Sequence, residues 1–202
     1  GMTALKAHAL NNLAVIAIEN GRIDEAFRYF NEALPLLDTE PEPLLEGHIV
    51  NNIGVIHCIR GNPEKAIIEF NRALICRSAA RDRHGFAETS HNLGMAHLEM
   101  NHLDSAEDYL DRALHTARGL GDGPTVANIL LSRSELFVKR NKPVIAGAVA
   151  SEARALFEIF DDPLGLADSL RFMGESEMAL FRYDSAERCL HKAFSLNEQY
   201  HH

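Results

Sequence analysis

Alanine stands at 26, 66, 106, 146 and 186 and again at 33, 73, 113, 153 and 193, so one unit of sequence recurs every 40 residues, five times over. A small residue keeps the same clock at Ala14, Gly54, Gly94, Ser134 and Gly174, and a Gly or Asn turn residue follows at Gly21, Gly61, Asn101 and Asn141. Self-similarity at a fixed period of this size marks a solenoid, in which each repeat buries its apolar face only against its neighbours. An array of that kind offers a long surface and seldom a catalytic pocket, which places partner binding ahead of catalysis as a class of function.

Within each unit the apolar residues recur at spacings of three and four, the helical period, in two stretches separated by a short polar turn. Each unit therefore reads as a helical hairpin. The expected helices are 3–20 and 23–38, 43–60 and 63–79, 83–100 and 103–120, 124–140 and 143–160, then 163–181 and 183–199. Asn62-Pro63-Glu64 has the form of an N-cap, a proline at the first helical position and an acid in the first turn, and Asp162-Pro163 repeats the signal. Gly54 and Ala66 are expected where the helices of one hairpin approach closely, and Ala73 where the next hairpin stacks. Phe30, Phe70, Leu110 and Leu190 fill the space between as core. The fourth unit is the least regular, with Arg133 and Ser134 where the others have an apolar and a small residue.

Gly54, Gly61, Ala66, Phe70 and Ala73, in that order, resemble the tetratricopeptide repeat motif: a small residue in the first helix, then Gly, then two alanines with an apolar residue between them. The resemblance covers essentially the whole chain. It departs in period, 40 residues against about 34, which adds roughly 9 Å of helix per hairpin, and in the first-helix Trp, replaced by Leu10, Val50, Ser90, Leu130 and Leu170. Longer-helix members of the family include sensor and scaffold arrays of bacterial regulators. The fold implied is all-α, a right-handed superhelical solenoid of five helical hairpins, with repeats at 3–42, 43–82, 83–122, 123–162 and 163–202 in one array without an internal linker.

The resemblance further implies that the first helices line a concave groove. At about 100° per residue, the outward strip contains His8, Asn11, Asn12 and Val15; His48, Asn51, Asn52, Val55 and Ile59; His91, Asn92 and Met95; then Asn128, Glu135 and Arg171. Ile18, Leu98, Leu131, Ser132, Phe172 and Met178 belong to the same strip. Asn carries a donor and an acceptor, so a ladder of Asn can bond the backbone of an extended peptide while Val, Ile and Met take its apolar side chains. Asn12, Asn52 and Asn92 share one phase, for which a groove contact and a structural bridge between hairpins both stay open; Asn11, Asn51 and His91 are the stronger binding candidates. A clamp for a C-terminal carboxylate needs several basic strip residues, and only Lys139 and Arg171 qualify. With Glu19, Glu88, Glu99, Glu135, Asp168 and Glu175 around the strip, the expected ligand is a neutral or basic peptide or protein segment.

Twenty basic residues against 29 acidic ones give a formal charge of −9, so the general attraction to nucleic acid or anionic lipid is missing. No segment reads as a secretory signal or membrane span, and Cys58, Cys76 and Cys189 lack close-pair spacing, which fits a reducing, cytoplasmic setting. His91, His97 and His102 are six and five apart, not the three or four that places two ligands on one helical face. No phosphate loop or nucleophile elbow is present, so neither catalysis nor a cofactor or metal is expected. Two other readings stand beside groove binding: a structural or oligomerisation module acting through its ends and convex face, and the appended array of a larger signalling enzyme or transcription activator. Ala186, Leu190, Ala193, Phe194 and Leu196 form a helical stripe with no capping helix after it. The C-terminal repeat is therefore expected to associate with another copy, as a homodimer, or with a continuation of the chain.

Overall fold

The computed structural model describes residues 1–200. It contains ten helices and, among the described residues, no strand: α1 Met2–Glu19, α2 Ile23–Leu37, α3 Pro43–Ile59, α4 Pro63–Ala79, α5 Arg83–Glu99, α6 Leu103–Leu120, α7 Gly123–Lys139, α8 Pro143–Ile159, α9 Pro163–Ala179 and α10 Tyr183–Tyr200. Every boundary lies within two residues of the one read from the apolar period. The helices gather into two compact units, Gly1–Met100 and the residues from Asn101 on, so the division falls at the turn inside the third repeat, not between repeats. In the first unit α1 packs on α2 and α3 on α4, and α5 stacks on α4 and α3. In the second, α6 packs on α7, and the hairpins α7–α8 and α9–α10 stack through α8 and α9.

The turns follow from residues that tolerate a left-handed backbone. Gly21, Gly61, Asn101 and Asn141 all have positive φ, as the turn reading required. Phe181 takes the same place in the fifth hairpin with φ 60, a conformation a bulky side chain reaches only under strain. The turns before α5, α7 and α9 use the same left-handed conformation, at Arg81, Gly121 and Asp161, and add a side-chain cap. Asp82, Asp122 and Asp162 cap α5, α7 and α9 by accepting from backbone N–H groups two or three residues on. Asn62 occupies the N-cap position of α4, but its side chain does not cap; its amide donates to the Arg60 carbonyl at 2.9 Å.

The paired alanines at 26 and 33, 66 and 73, 106 and 113, 146 and 153 are fully buried. A Cβ on Gly54 would overlap the Phe70 ring, so the close approach of α3 and α4 depends on that glycine. Phe30, Phe70 and Leu110 are core. Leu190 is only half-buried, because it packs on Gly174 from one side and nothing in the described residues covers the other. The irregular fourth hairpin is held by polar contacts instead: Ser134 Oγ donates to the Ala146 carbonyl at 2.9 Å, and Arg133 pairs with Asp111 at 3.1 Å while lying over the Phe137 ring.

Candidate functional site

In the first unit the outward faces of α1, α3 and α5 carry Val15, Val55 and Met95 at one register, exposed or half-buried, with Asn12, Asn52 and Asn92 three residues before them. Ile59 and Glu99 lie exposed at the far edge. One of the stronger amide candidates, Asn51, lies elsewhere than expected, and one member of the other phase, Asn92, joins it in a bridge. Asn51, expected to face a ligand, is only 1% exposed and fully engaged. Its Oδ1 accepts from Thr89 Oγ1 and from Asn92 Nδ2, both at 3.1 Å, and its Nδ2 donates to Glu88 Oε1 at 3.3 Å. The 100° projection misplaced it because α5 packs against that flank of α3, and a neighbouring helix, not the helix's own axis, decides which flank is covered. Asn51 is thus an inter-repeat bridge. The corresponding Asn11 makes only a long contact to Asn12, and its Oδ1 has no partner, because the residue in Thr89's place on α3 is Ile49, which has no hydroxyl.

A second bridge lies beneath this face. Arg77, at the end of α4, is buried and passes between Gly47 of α3 and Gly85 of α5; a Cβ on Gly85 would collide with its guanidinium, and one on Gly47 would press tightly on its stem. Its guanidinium bonds Asp82 and reaches Glu88 at 3.6 Å, so the acid that receives the Asn51 amide is also fixed by Arg77. Burial works against the Asp82 carboxylate, but the Gly85 N–H and Arg77 outweigh it and hold its pKa below the usual range. The other second helices carry Leu37, Ala117, Phe157 and Asn197 at this position, so only the glycine pair signalled a buried arginine in the sequence.

The strip histidines are tethered to the same kind of acid. His8 Nε2 lies 2.9 Å from Glu42, and His48 Nε2 lies 3.9 Å from Asp82, each acid standing at the N-cap of the next first helix. Burial and the Arg77 charge both lower the His48 pKa. His91 is half-buried on α5, and burial pushes its pKa down to about 4, so the imidazole is neutral near pH 7. His57 is half-buried edge-on to Phe27.

In the second unit the strip is more charged and internally neutralised. Asn128 is exposed, and Glu135 pairs with Lys139 at 3.5 Å. Arg171 contacts Asp168 at 3.5 Å and Glu175 at 2.8 Å and stacks on Phe172. Both basic strip residues are therefore spoken for, leaving acid in excess. Leu98, Ser132 and Phe172, read as part of the strip, are buried. Among the described residues no cluster of three or more His, Cys, Asp or Glu gathers that could hold a metal ion, and no helix is long and apolar enough to cross a membrane. The three cysteines are free.

Comparison with known proteins supplies the family. A tetratricopeptide repeat profile matches residues 46–119, and a second tetratricopeptide repeat profile matches 7–36. No curated protein sequence matches. Among solved structures, BtubC (BKLC) from P. vanneervenii is 20% identical with a TM-score of 0.84, over 98% of this chain and 82% of that one. A signal transduction ATPase with numerous domains and a tetratricopeptide repeat sensor, from Pyrococcus horikoshii, is 14% identical with a TM-score of 0.85, over 99% of this chain and 31% of that one. A Rap protein complexed with competence and sporulation factor is 12% identical with a TM-score of 0.81, over 96% and 54%. At these identities the likeness is one of fold, and with ten helices in hairpins and two matching repeat profiles, the chain belongs to the tetratricopeptide repeat family.

Proposed function

We propose that this chain is a protein-interaction module that binds an extended, neutral or basic peptide segment across the outward faces of α1, α3 and α5. The observation that carries this reading is the row Val15, Val55 and Met95, accessible at one register and flanked by Asn12 and Asn52, with Asn92 presenting its Oδ1 while its Nδ2 is held by Asn51. The apolar row takes alternate side chains of a strand, and the amides bond its backbone without regard to sequence. Asn51 is removed from the contact set; it and Arg77 hold the platform on which Glu88 and Asn92 stand. Exposed Glu19, Glu88 and Glu99 beside a strip that holds no Lys or Arg favour a neutral or basic ligand and disfavour capture of a C-terminal carboxylate. A role as the sensor or scaffold part of a larger regulator is supported by the Pyrococcus horikoshii ATPase, of which this chain spans about a third and which carries a tetratricopeptide repeat sensor.

The test is a panel of fluorescent ten-residue peptides, varied in charge, titrated against the parent and a Val55→Glu, Met95→Glu variant. Neutral and basic members should bind the parent, with acidic ones excluded, and the variant should lose at least tenfold in affinity. Equal binding by both proteins, or a preference for acidic peptides, would refute the reading.

A further inference from the structure

Where one hairpin meets the next, a single repeat position decides whether the space beside the packed helices is filled. At the first junction it is Phe27 of α2, which stands edge-on to His57 at 5.6 Å and has the Arg60 guanidinium over its ring at 4.4 Å. At the second it is Ile67, and at the third Glu107 of α6, which pairs with Arg140 at 2.9 Å. At the fourth it is Gly147 of α8, and Leu180 stands where Arg60 and Arg140 stand in the others. Gly147 admits α9 closely, since a Cβ there would come within 3.3 Å of Ser176 Cβ. A cleft of about 260 Å³ is left beside it between α8, α9 and α10. Val144, Ala148, Met173 and Leu180 form its apolar walls, and Glu177 and Arg182 its polar edge. All three helices border it, so it is a feature of an interior junction and not of an end of the array.

We infer that this cleft receives one Trp or Tyr side chain of a partner polypeptide, its ring lying where the Phe27 ring lies in the first junction. The volume selects a single side chain, because sites for whole small molecules run to about 300–1,000 Å³. The first junction selects an aromatic one: two residues that line the cleft, Glu177 and Leu180, stand in the places of His57 and Arg60, and both of those touch the Phe27 ring. Charge selects among the aromatics. Glu177 is half-buried and reaches Arg182 through Oε1 at 3.3 Å, which leaves its second oxygen to accept. An indole N–H or a phenol O–H supplies the donor that Phe lacks, and the carboxylate also suits the positive edge of a ring. Arg182 is 63% exposed and long enough to lie over the ring face, as Arg60 lies over Phe27. Trp and Tyr are the aromatic side chains that most often anchor an interface by filling a pocket. The cleft belongs to the second unit and the strip of Val15, Val55 and Met95 to the first, so the two readings stand or fall separately.

Peptides of the form Gly-Gly-Xaa-Gly-Gly, with Xaa as Trp, Tyr, Phe or Leu, and free indole are titrated against the isotope-labelled 202-residue chain and followed by amide chemical shifts. The Trp and Tyr peptides should move the resonances of Gly147, Ala148 and Ser185 and bind about fivefold tighter than the Phe peptide, the worth of one hydrogen bond, with Leu weaker still. Gly147→Phe rebuilds the ring of the first junction in place and should abolish the response. Val144→Glu, at a position 67% exposed, should abolish it without touching the glycine, which keeps the test intact if Gly147→Phe disturbs the fold. Glu177→Leu should bring Trp and Tyr down to the affinity of Phe and leave the Phe peptide unchanged. The Val55→Glu, Met95→Glu variant should bind these peptides as the parent does, which separates this result from a failure of the strip. No response at the cleft, a response that survives Val144→Glu, or a Leu peptide as tight as Trp would overturn the inference. So would free indole binding as tightly as the Trp peptide, which would assign the cleft to a small aromatic ligand, or cleft resonances that shift with protein concentration alone, which would assign it to a second copy.

Discussion

Replacing Asn51 with alanine separates the two roles an asparagine ladder can play. The substitution removes the acceptor of Thr89 Oγ1 and of Asn92 Nδ2 and the donor to Glu88. Thr89 is fully buried, so its hydroxyl would lose its partner where no water replaces it, at a cost of about 1–3 kcal/mol. Rotation toward a carbonyl of its own helix recovers part of that. Asn92 is half-buried and turns to solvent, and the lost amide volume adds a small packing defect. The balance is about 2 kcal/mol, a substantial share of the roughly 5–15 kcal/mol that holds a domain folded. Thr89→Val alone should cost about 1 kcal/mol, and the double variant should cost less than the sum by roughly 0.5–1.5 kcal/mol, because the second change removes the group the first left unpaired. Urea unfolding followed at 222 nm measures all three. A loss under about 0.5 kcal/mol for Asn51→Ala, or strict additivity in the cycle, would refute the bridge. Unchanged stability with weakened peptide binding would return Asn51 to the ligand site.

Other perturbations probe the remaining links. Phe181→Asn puts at the fifth hairpin turn the residue that already serves at Asn101 and Asn141, and relief of the left-handed strain should stabilise the chain by about 1 kcal/mol, a rise of roughly 2–4 °C in Tm. Gly54→Ala gains about 1 kcal/mol in helix propensity but drives a methyl into the Phe70 ring at about 1–3 kcal/mol, so it should destabilise on balance, and Phe70→Leu in the same chain should restore stability. His91 carries a depressed pKa of about 4 in the folded chain. The unfolded chain therefore takes up its proton first, and stability is lost as pH falls from about 6.5 toward 4. At about 1.4 kcal/mol for each tenfold difference in proton affinity, the loss approaches roughly 3 kcal/mol. His91→Asn should flatten that part of the stability profile in acid titrations.

Periodicity alone determined the helices, their turns and their pairing, because each of these is a local or nearest-neighbour property. Three-and-four spacing demands a helix, Gly21 and Asn101 permit the left-handed turn, and Ala66 against Gly54 permits two helices to close. The strip was legible in outline for a similar reason, since Val15, Val55 and Met95 project at one angle from their own helices. What the sequence alone left undecided was anything set by the flank that a neighbouring helix covers. Asn11 and Asn51 are the same residue at the same position of the repeat, yet one lacks an acceptor contact and the other is buried in a network. The difference lies in Ile49 and Thr89, which stand on the adjacent helix 38 residues further along. Arg77 reads as an ordinary surface residue until Gly47 and Gly85 are seen on either side of it. Phe194, on the stripe read as lacking a capping helix, is 60% exposed, whereas Leu190 on the same stripe, read as core, is half-buried. Helical period assigns a face to each residue, but burial and partnership depend on what lies across it, and that is fixed only when the hairpins stack.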